Sequence, residues 1–269
     1  MSEKGRAPSA PVPAATVLLL RGGEAKLEVF MVVRHQQIDF ASGALVFPGG
    51  KVEKADADPR LKARVEGCDG MDDEARAFRV GAIRESFEEC GVLLARPRGS
   101  RALVSAEQLG PIQARWQKKL VDNTATVVDM VEAEDLVLAC DLMVPYSHWI
   151  TPTFMPKRFD TWFFVAEAPA DHLAVHDGSE SVDSVWISPA QALTDLEAGR
   201  RTIIFPTRLN LMMLAESPDV NSALLRARDA RIKTVLPWIE EKDGTKWLTI
   251  PEDAGYKLTR ARIDAVMRG

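Results

Sequence analysis

The sequence predicts a mixed α/β or α+β fold, because β-branched apolar runs and helical patterns are interleaved along one chain. Three stretches carry that expectation. Two apolar runs, 14–20 and 27–33, flank Arg21-Gly22-Gly23-Glu24. A proline-free helical pattern occupies 74–95. A strand-like run at 181–187 leads directly into Ser188-Pro189, a hydroxyl cap followed by proline at the first helical position.

The elements follow in order. Residues 1–13 are small, polar and Pro-rich and are expected to form a loose N-terminal tail. The first two runs are a strand pair around a turn. A third short run, 44–47, stops at Pro48-Gly49-Gly50, where regular structure ends and backbone can approach something closely. Residues 51–73 are Asp-rich, with Pro59 and Gly67, and predict a loop with one helical turn. The helix over 74–95 has Gly91 near its end and an apolar exit at 92–94. Ser105 with Gln108 three residues later is a capping-box start. A helix restarted by Pro111 is expected to run to about Asp122, with another at 124–134. Strands are expected at 142–151, 158–167 and 181–187, and the Ser188-Pro189 helix is expected to stop at Gly199. The last segment, 200–269, predicts helices at 207–216 and 219–231 and strands near 234–240 and 245–250.

Composition narrows the classes of function. Of 269 residues, 46% are hydrophobic and 27% charged, so the chain is neither disordered nor fibrous and can bury a core without staples. The net charge of −5 gives no general basic coat, so a nucleic-acid partner is not expected. Three cysteines, Cys68, Cys90 and Cys140, form neither a disulfide framework nor a C-x-x-C metal spacing, which indicates a reducing compartment. Neither a spanning segment nor an export signal is legible, and a cytoplasmic location is the default expectation, with no membrane partner.

The chemistry concentrates in Arg84-Glu85-Ser86-Phe87-Glu88-Glu89-Cys90-Gly91. On a helix Glu85, Glu88 and Glu89 project from one face, and their mutual repulsion is relieved most simply by a hard divalent cation such as Mg2+ or Mn2+. A solvated acidic face is the commoner fate of such a run. Here Arg84 can orient a carboxylate, Gly91 closes the motif, and Phe47-Pro48-Gly49-Gly50 supplies an approachable turn upstream.

Gly49-Gly50 followed by Arg84-Glu85-x-x-Glu88-Glu89-x-Gly91-Val92 resembles the Nudix hydrolase box, G-x5-E-x7-R-E-U-x-E-E-x-G-U, with U a bulky aliphatic. The resemblance implies a mixed-sheet α/β/α sandwich and metal-dependent hydrolysis of a diphosphate linked to another moiety. It makes Glu85, Glu88 and Glu89 metal ligands, with the Gly49 carbonyl as a further ligand. Glu88, Glu89 and Arg84 become catalytic candidates, Arg84 holding the carboxylates in place. Three departures stand out. Ser86 replaces the aliphatic after Arg-Glu, a change expected to weaken helix packing. Arg76 stands where the box glutamate would precede Arg84, leaving Glu53 and Asp56 as candidate partners of Arg84. Gly50 and Arg84 lie 34 positions apart where the ordinary box needs 14, so the loop between 51 and 83 carries 20 extra residues.

An interrupted box with R-E-x-F-E-E-x-G-V-L-L resembles the acyl-coenzyme A diphosphatase branch. His148-Trp149-Ile150-Thr151-Pro152 and Arg158-Phe159-Asp160-Thr161-x-Phe163-Phe164 look like its post-box strands, and 105–134 like its helical insert. The resemblance covers roughly 14–200 as one Nudix domain, with 201–269 as an extension on the same domain that could cover the substrate site or build a homodimer interface. It implies coenzyme A or acyl-coenzyme A as substrate, giving 3′,5′-ADP and (acyl-)4′-phosphopantetheine. A nucleoside-diphosphate derivative such as ADP-ribose or NADH is the alternative substrate, and a non-catalytic ligand sensor on the same fold is the alternative class. Glu180 is a candidate base or extra ligand beside an ordinary surface-turn reading. Arg34, Phe47, Gly50 and Arg158 are candidate substrate contacts. The His172-x-x-x-His176 pair lacks the zinc-site glutamate and is expected to be loop.

Overall fold

The computed structural model describes residues 9–23, 26–34, 43–172 and 181–266. Strand β1 (Val12–Arg21) is the spine of the molecule. Ala15, Val17, Leu18, Leu19 and Leu20 are all buried, because β1 is covered on both faces and its apolar run therefore need not alternate. It begins at Val12, inside the segment expected as tail. Beside it run β2 (Glu28–Arg34) and β4 (Gly49–Lys51), with β3 (Leu45–Val46) on the far side of β2. The strand pair expected around the Gly22-Gly23 turn is therefore present, and Gly49-Gly50 form a strand of their own, paired antiparallel with Thr16 and Ala15.

Two 3-10 turns, Lys54–Ala57 and Pro59–Ala63, occupy the box loop, one more than expected. Helix α1 (Asp73–Cys90) follows, capped by the Asp72 side chain. It ends at Gly91, whose φ of 68° allows its N–H to turn back to the Phe87 carbonyl. Beyond it the chain is not helical but forms β5 (Ala95–Pro97), paired antiparallel with β6 (Leu136–Leu138). Between these two strands lie α2 (Ala106–Val121) and α3 (Val127–Ala133). Pro111 does not restart a helix; it sits inside α2. The Ser105–Gln108 capping box starts the helix earlier, and Leu109, Ile112 and Leu120 bury one face across the proline, outweighing its missing N–H. Ser105→Ala is therefore expected to cost about 1 kcal/mol of stability; an unchanged melting curve would show that the cap does not matter.

The sheet is completed by β7 (Val144–Ile150), β8 (Phe159–Glu167), β9 (Ser181–Ile187) and β10 (Thr234–Val235). Its order is β10-β7-β8-β1-β2-β3, with β4 also on β1 and β9 on β2. The β1–β8 and β7–β10 pairs are parallel and the others antiparallel, so the sheet is mixed. Helices α4 (Pro189–Glu197), α5 (Phe205–Leu214) and α6 (Val220–Asp229) follow. A second sheet of β11 (Trp238–Lys242), β12 (Thr245–Thr249) and β13 (Arg260–Arg262) ends in the short α7 (Ile263–Val266).

Alternation along β1 divides the core. Ala15, Val17 and Leu19 face Phe78, Ile83 and Phe87 of α1 and the apolar sides of α2 and α3. Leu18 and Leu20 face Phe205, Leu209, Leu214 and Ala223 from α5 and α6. The result is an α/β/α sandwich that presses one face of α1 onto the sheet and leaves its carboxylates beside β4. No helix among the described residues is long and apolar enough to cross a membrane.

Candidate active site

Arg84 organises the site. It is only 2% exposed. Its Nε and Nη2 donate to the two oxygens of Asp56 at 3.0 and 3.1 Å, a bidentate contact, and Nη2 also reaches the Lys51 carbonyl at 2.7 Å. Nη1 donates to Glu85 at 2.9 Å and to both oxygens of Glu88 at 3.1 Å. Of the two candidate partners, Asp56 is the one that meets Arg84; Glu53 donates its backbone N–H to Asp56 at 2.8 Å. Asp56 keeps the box spacing from Gly50, so the extra residues lie after it. Arg76, in the place of the box glutamate, turns instead to Asp73 at 2.6 Å.

Glu89 is anchored separately. Its Oε2 accepts the Gly49 N–H at 2.9 Å, which ties the last carboxylate of the motif to strand β4. Gly50 admits Glu85: a Cβ there would lie 2.6 Å from the Glu85 oxygens, so any larger residue would expel the carboxylate. Ser86 does not weaken the helix. It is fully buried, and its hydroxyl donates to the Val92 carbonyl at 3.0 Å, holding the helix exit.

The electrostatics follow from burial. Asp56, Glu85, Glu88 and Glu89 are four carboxylates against one guanidinium. Burial pushes Glu85 up to about 8 although Arg84 opposes it, with the Glu88 charge adding to the rise. Burial also raises Glu88, and it raises Asp56 against the pull of Arg84. Burial works against the Arg84 charge, but Asp56, Glu85 and Glu88 more than offset it and hold its pKa above the ordinary value. The cluster thus holds more carboxyl groups than Arg84 alone can neutralise. Carboxylate oxygens are hard donors, the kind Mg2+ or Mn2+ prefers. Among the described residues no group of three or more His, Cys, Asp or Glu converges as a finished cation cage. Arg84 draws Glu85 and Glu88 towards itself, while Glu89 bends to Gly49.

The other sequence candidates divide. Phe47 is buried in the apolar layer beneath α5 with Leu45 and Leu209. Arg158 is buried and donates to the Thr151 carbonyl at 3.0 Å and the Ser9 carbonyl at 2.7 Å. Both side chains are thus engaged in the framework, a placement that residue type alone does not reveal. The Arg34 backbone belongs to β2, but its side chain lies outside the described residues, as do Glu180 and His176. His172 donates through Nε2 to the Val104 carbonyl at 2.8 Å.

Sequence reasoning missed a second feature. A cavity of about 820 Å3 opens between the N-terminal half of α1, β7–β8 and the end of α6. Its lining includes Arg79, His148, Asp160, Trp162 and Arg228, but none of the box carboxylates. His148 stacks on Trp162 at 4.3 Å between ring centroids and bonds to Asp160 and to Thr234. Cross-strand register assembles this group, so no contiguous motif signals it.

An α/β/α sandwich with a mixed sheet, an Arg-anchored carboxylate helix and the Gly-Gly strand β4 at its side defines a Nudix protein. The chain belongs to the NUDT19 Nudix domain family, whose sequence model matches residues 62–212. It is 25% identical to the acyl-coenzyme A diphosphatase NUDT19 of Xenopus laevis over 232 aligned residues, covering 72% of this chain and 61% of the relative. It is 28% identical to the putative nudix hydrolase 7 of Caenorhabditis elegans over 194 residues, covering 71% of this chain and 57% of that one. The matched part thus spans about three fifths of these two relatives. Among solved structures, a NUDIX hydrolase from Alicyclobacillus acidocaldarius shares 27% identity, with a TM-score of 0.67 over 81% of this chain and 96% of the other.

Proposed function

We propose that this protein is a Mg2+- or Mn2+-dependent hydrolase of a diphosphate bond, with coenzyme A or acyl-coenzyme A as substrate and a cytoplasmic site of action. The observation that carries the reading is the set of three box carboxylates, two gripped by one buried arginine and the third by the Gly49 N–H. The names of the relatives support the substrate class.

A bound divalent cation would neutralise the diphosphate oxygens and lower the pKa of the attacking water. In this reading Glu85, Glu88 and Glu89 hold the cation, with the Gly49 carbonyl as a further ligand. Asp56 fixes Arg84, and Arg84 restrains Glu85 and Glu88 on the same side of α1, which is the kind of support that positional catalysis requires. Glu88 and Glu89 are the candidates to accept the water's proton. Arg34 and Glu180 remain proposed as a phosphate contact and an auxiliary base. Phe47 and Arg158 act by shaping the turn and the β7–β8 connection, and Gly50 by leaving room for Glu85. Water adds to one phosphorus and the bridging oxygen leaves with the other, giving 3′,5′-ADP and (acyl-)4′-phosphopantetheine.

The test is turnover of coenzyme A esters, ADP-ribose, NADH and capped nucleotides in parallel, with Mn2+. Phosphopantetheine-type products from the coenzyme A species are expected. Turnover of ADP-ribose or NADH alone would transfer the activity to nucleoside-diphosphate derivatives. Binding without turnover, and without need of metal, would make the protein a ligand sensor.

A further inference from the structure

Two of the three cysteines meet far from the box carboxylates. Cys68 lies in the extra loop between the halves of the box. Cys140 opens the 3-10 turn Cys140–Leu142 that leads into β7. Backbone contacts carry the loop there. Val65 forms a parallel bridge with Leu138, Glu66 donates to the Leu138 carbonyl at 3.0 Å, and Leu138 donates to the Arg64 carbonyl at 2.8 Å. Gly67 packs so tightly that a Cβ on it would fall 2.5 Å from the Asp141 Cα. The residues next along are thereby brought together: Cys68 packs against the apolar cluster that contains Cys140, and each thiol acts on the other.

The two thiols differ in a way that suits exchange chemistry. Cys140 is buried, whereas Cys68 is part exposed. The Arg79 guanidinium, held over the Phe164 ring at 5.3 Å, acts on both sulfurs. The Cys140 thiol beside it, helped by the charges of Arg79 and Arg76, brings Cys68 down to about 7 against the effect of burial. A part-exposed thiol beside arginines is the reactive kind, and a buried neighbour in contact is the resolving kind.

We propose that Cys68 and Cys140 are a peroxide-oxidised thiol pair, closing a reversible disulfide that fastens the box loop to the segment before β7. The Cys68 thiolate attacks one oxygen of hydrogen peroxide. The O–O bond breaks, the departing hydroxide takes a proton to leave as water, and Cys68 becomes a sulfenic acid. The Cys140 sulfur then attacks the Cys68 sulfur, the S–O bond breaks, and a second water leaves with the Cys140 proton. Two thiols and one peroxide give one disulfide and two waters, with two electrons passing from sulfur to oxygen. A low-molecular-weight thiol reverses the step by exchange, so the pair rests as the dithiol in a reducing compartment. The closed loop encloses all of α1.

The experiment treats the full chain with hydrogen peroxide, then alkylates it under denaturing conditions for mass analysis. One alkylatable cysteine, Cys90, is expected in place of three, with a linked peptide pair containing Cys68 and Cys140. Dithiothreitol restores all three. The oxidised protein is expected to melt several degrees higher, up to about 10 °C. Cys68→Ser abolishes the link and Cys90→Ser leaves it intact; because Cys68 is part exposed, its variant tests the pair even if Cys140→Ser does not fold. Oxygen adducts on Cys68 without a link, a disulfide between chains, or three cysteines still alkylatable would overturn the proposal.

Discussion

Asp56→Ala is expected to lower the unfolding free energy by about 3 kcal/mol, the low end of the roughly 3–5 kcal/mol lost when one partner of a buried ion pair is removed. Asp56 is 0% exposed and Arg84 only 2%. Arginine does not escape burial by losing its proton, so the guanidinium stays charged with Nε and one lobe of Nη2 unpaired. Glu85 and Glu88 still neutralise it, which holds the loss to the lower end of the range. Asp56→Asn keeps the shape and one acceptor and is expected to cost less. Urea denaturation of the three proteins measures both effects. An Asp56→Ala protein within 1 kcal/mol of the parent would mean that Arg84 is not anchored through Asp56 and that another group takes the place of the box glutamate.

That anchoring marks a boundary of what the sequence makes legible. Glu53 and Asp56 both sit at the same short turn, both are acidic, and both precede the extra residues of the box. Only the three-dimensional closure of the turn onto α1 selects between them. Local signals elsewhere were sufficient. The buried run of β1, the strand Ser181–Ile187 with its Ser-Pro helix start, and the Arg-Glu-x-x-Glu-Glu face of α1 each advertise themselves within a few residues. Strands β5 and β6 do not. Each has three residues, one ends in proline, and each exists because the other pairs with it across α2 and α3. Likewise β4 is Gly-Gly-Lys, a poor strand sequence, and is extended because β1 offers it an edge. Pro111 misled in the opposite direction, since a local breaker lost to a cap and a buried face. Phe47 and Arg158 show the same limit in the site. An aromatic residue and a cation beside the box suit a substrate, but the apolar layer under α5 takes the first and two backbone carbonyls take the second.

Glu89→Gln separates catalysis from mere binding. The substitution keeps the size of the side chain and one oxygen able to accept the Gly49 N–H, so the fold is expected to lose less than about 1 kcal/mol. What it removes is one ionisable carboxyl from the cluster proposed to hold the cation, in which carboxyls outnumber Arg84. Loss of one hard ligand and of a proton acceptor is expected to reduce turnover by about 10²–10⁴-fold. The same variant isolates the metal from the substrate. Mn2+ at 100 times its dissociation constant stabilises a single-site protein by about 2.7 kcal/mol, so the parent is expected to melt measurably higher with Mn2+. Glu89→Gln is expected to lose most of that rise at the same concentration. If the variant keeps full activity, Glu89 is no part of the metal site. If the parent neither turns over nor responds to Mn2+, the buried carboxylates serve only to hold Arg84 and β4 in place, and the Nudix fold here serves binding alone. A variant that loses turnover but keeps the Mn2+ shift would leave the cation on Glu85 and Glu88 and assign Glu89 the proton, because ligation and proton acceptance are the two functions its charge can serve.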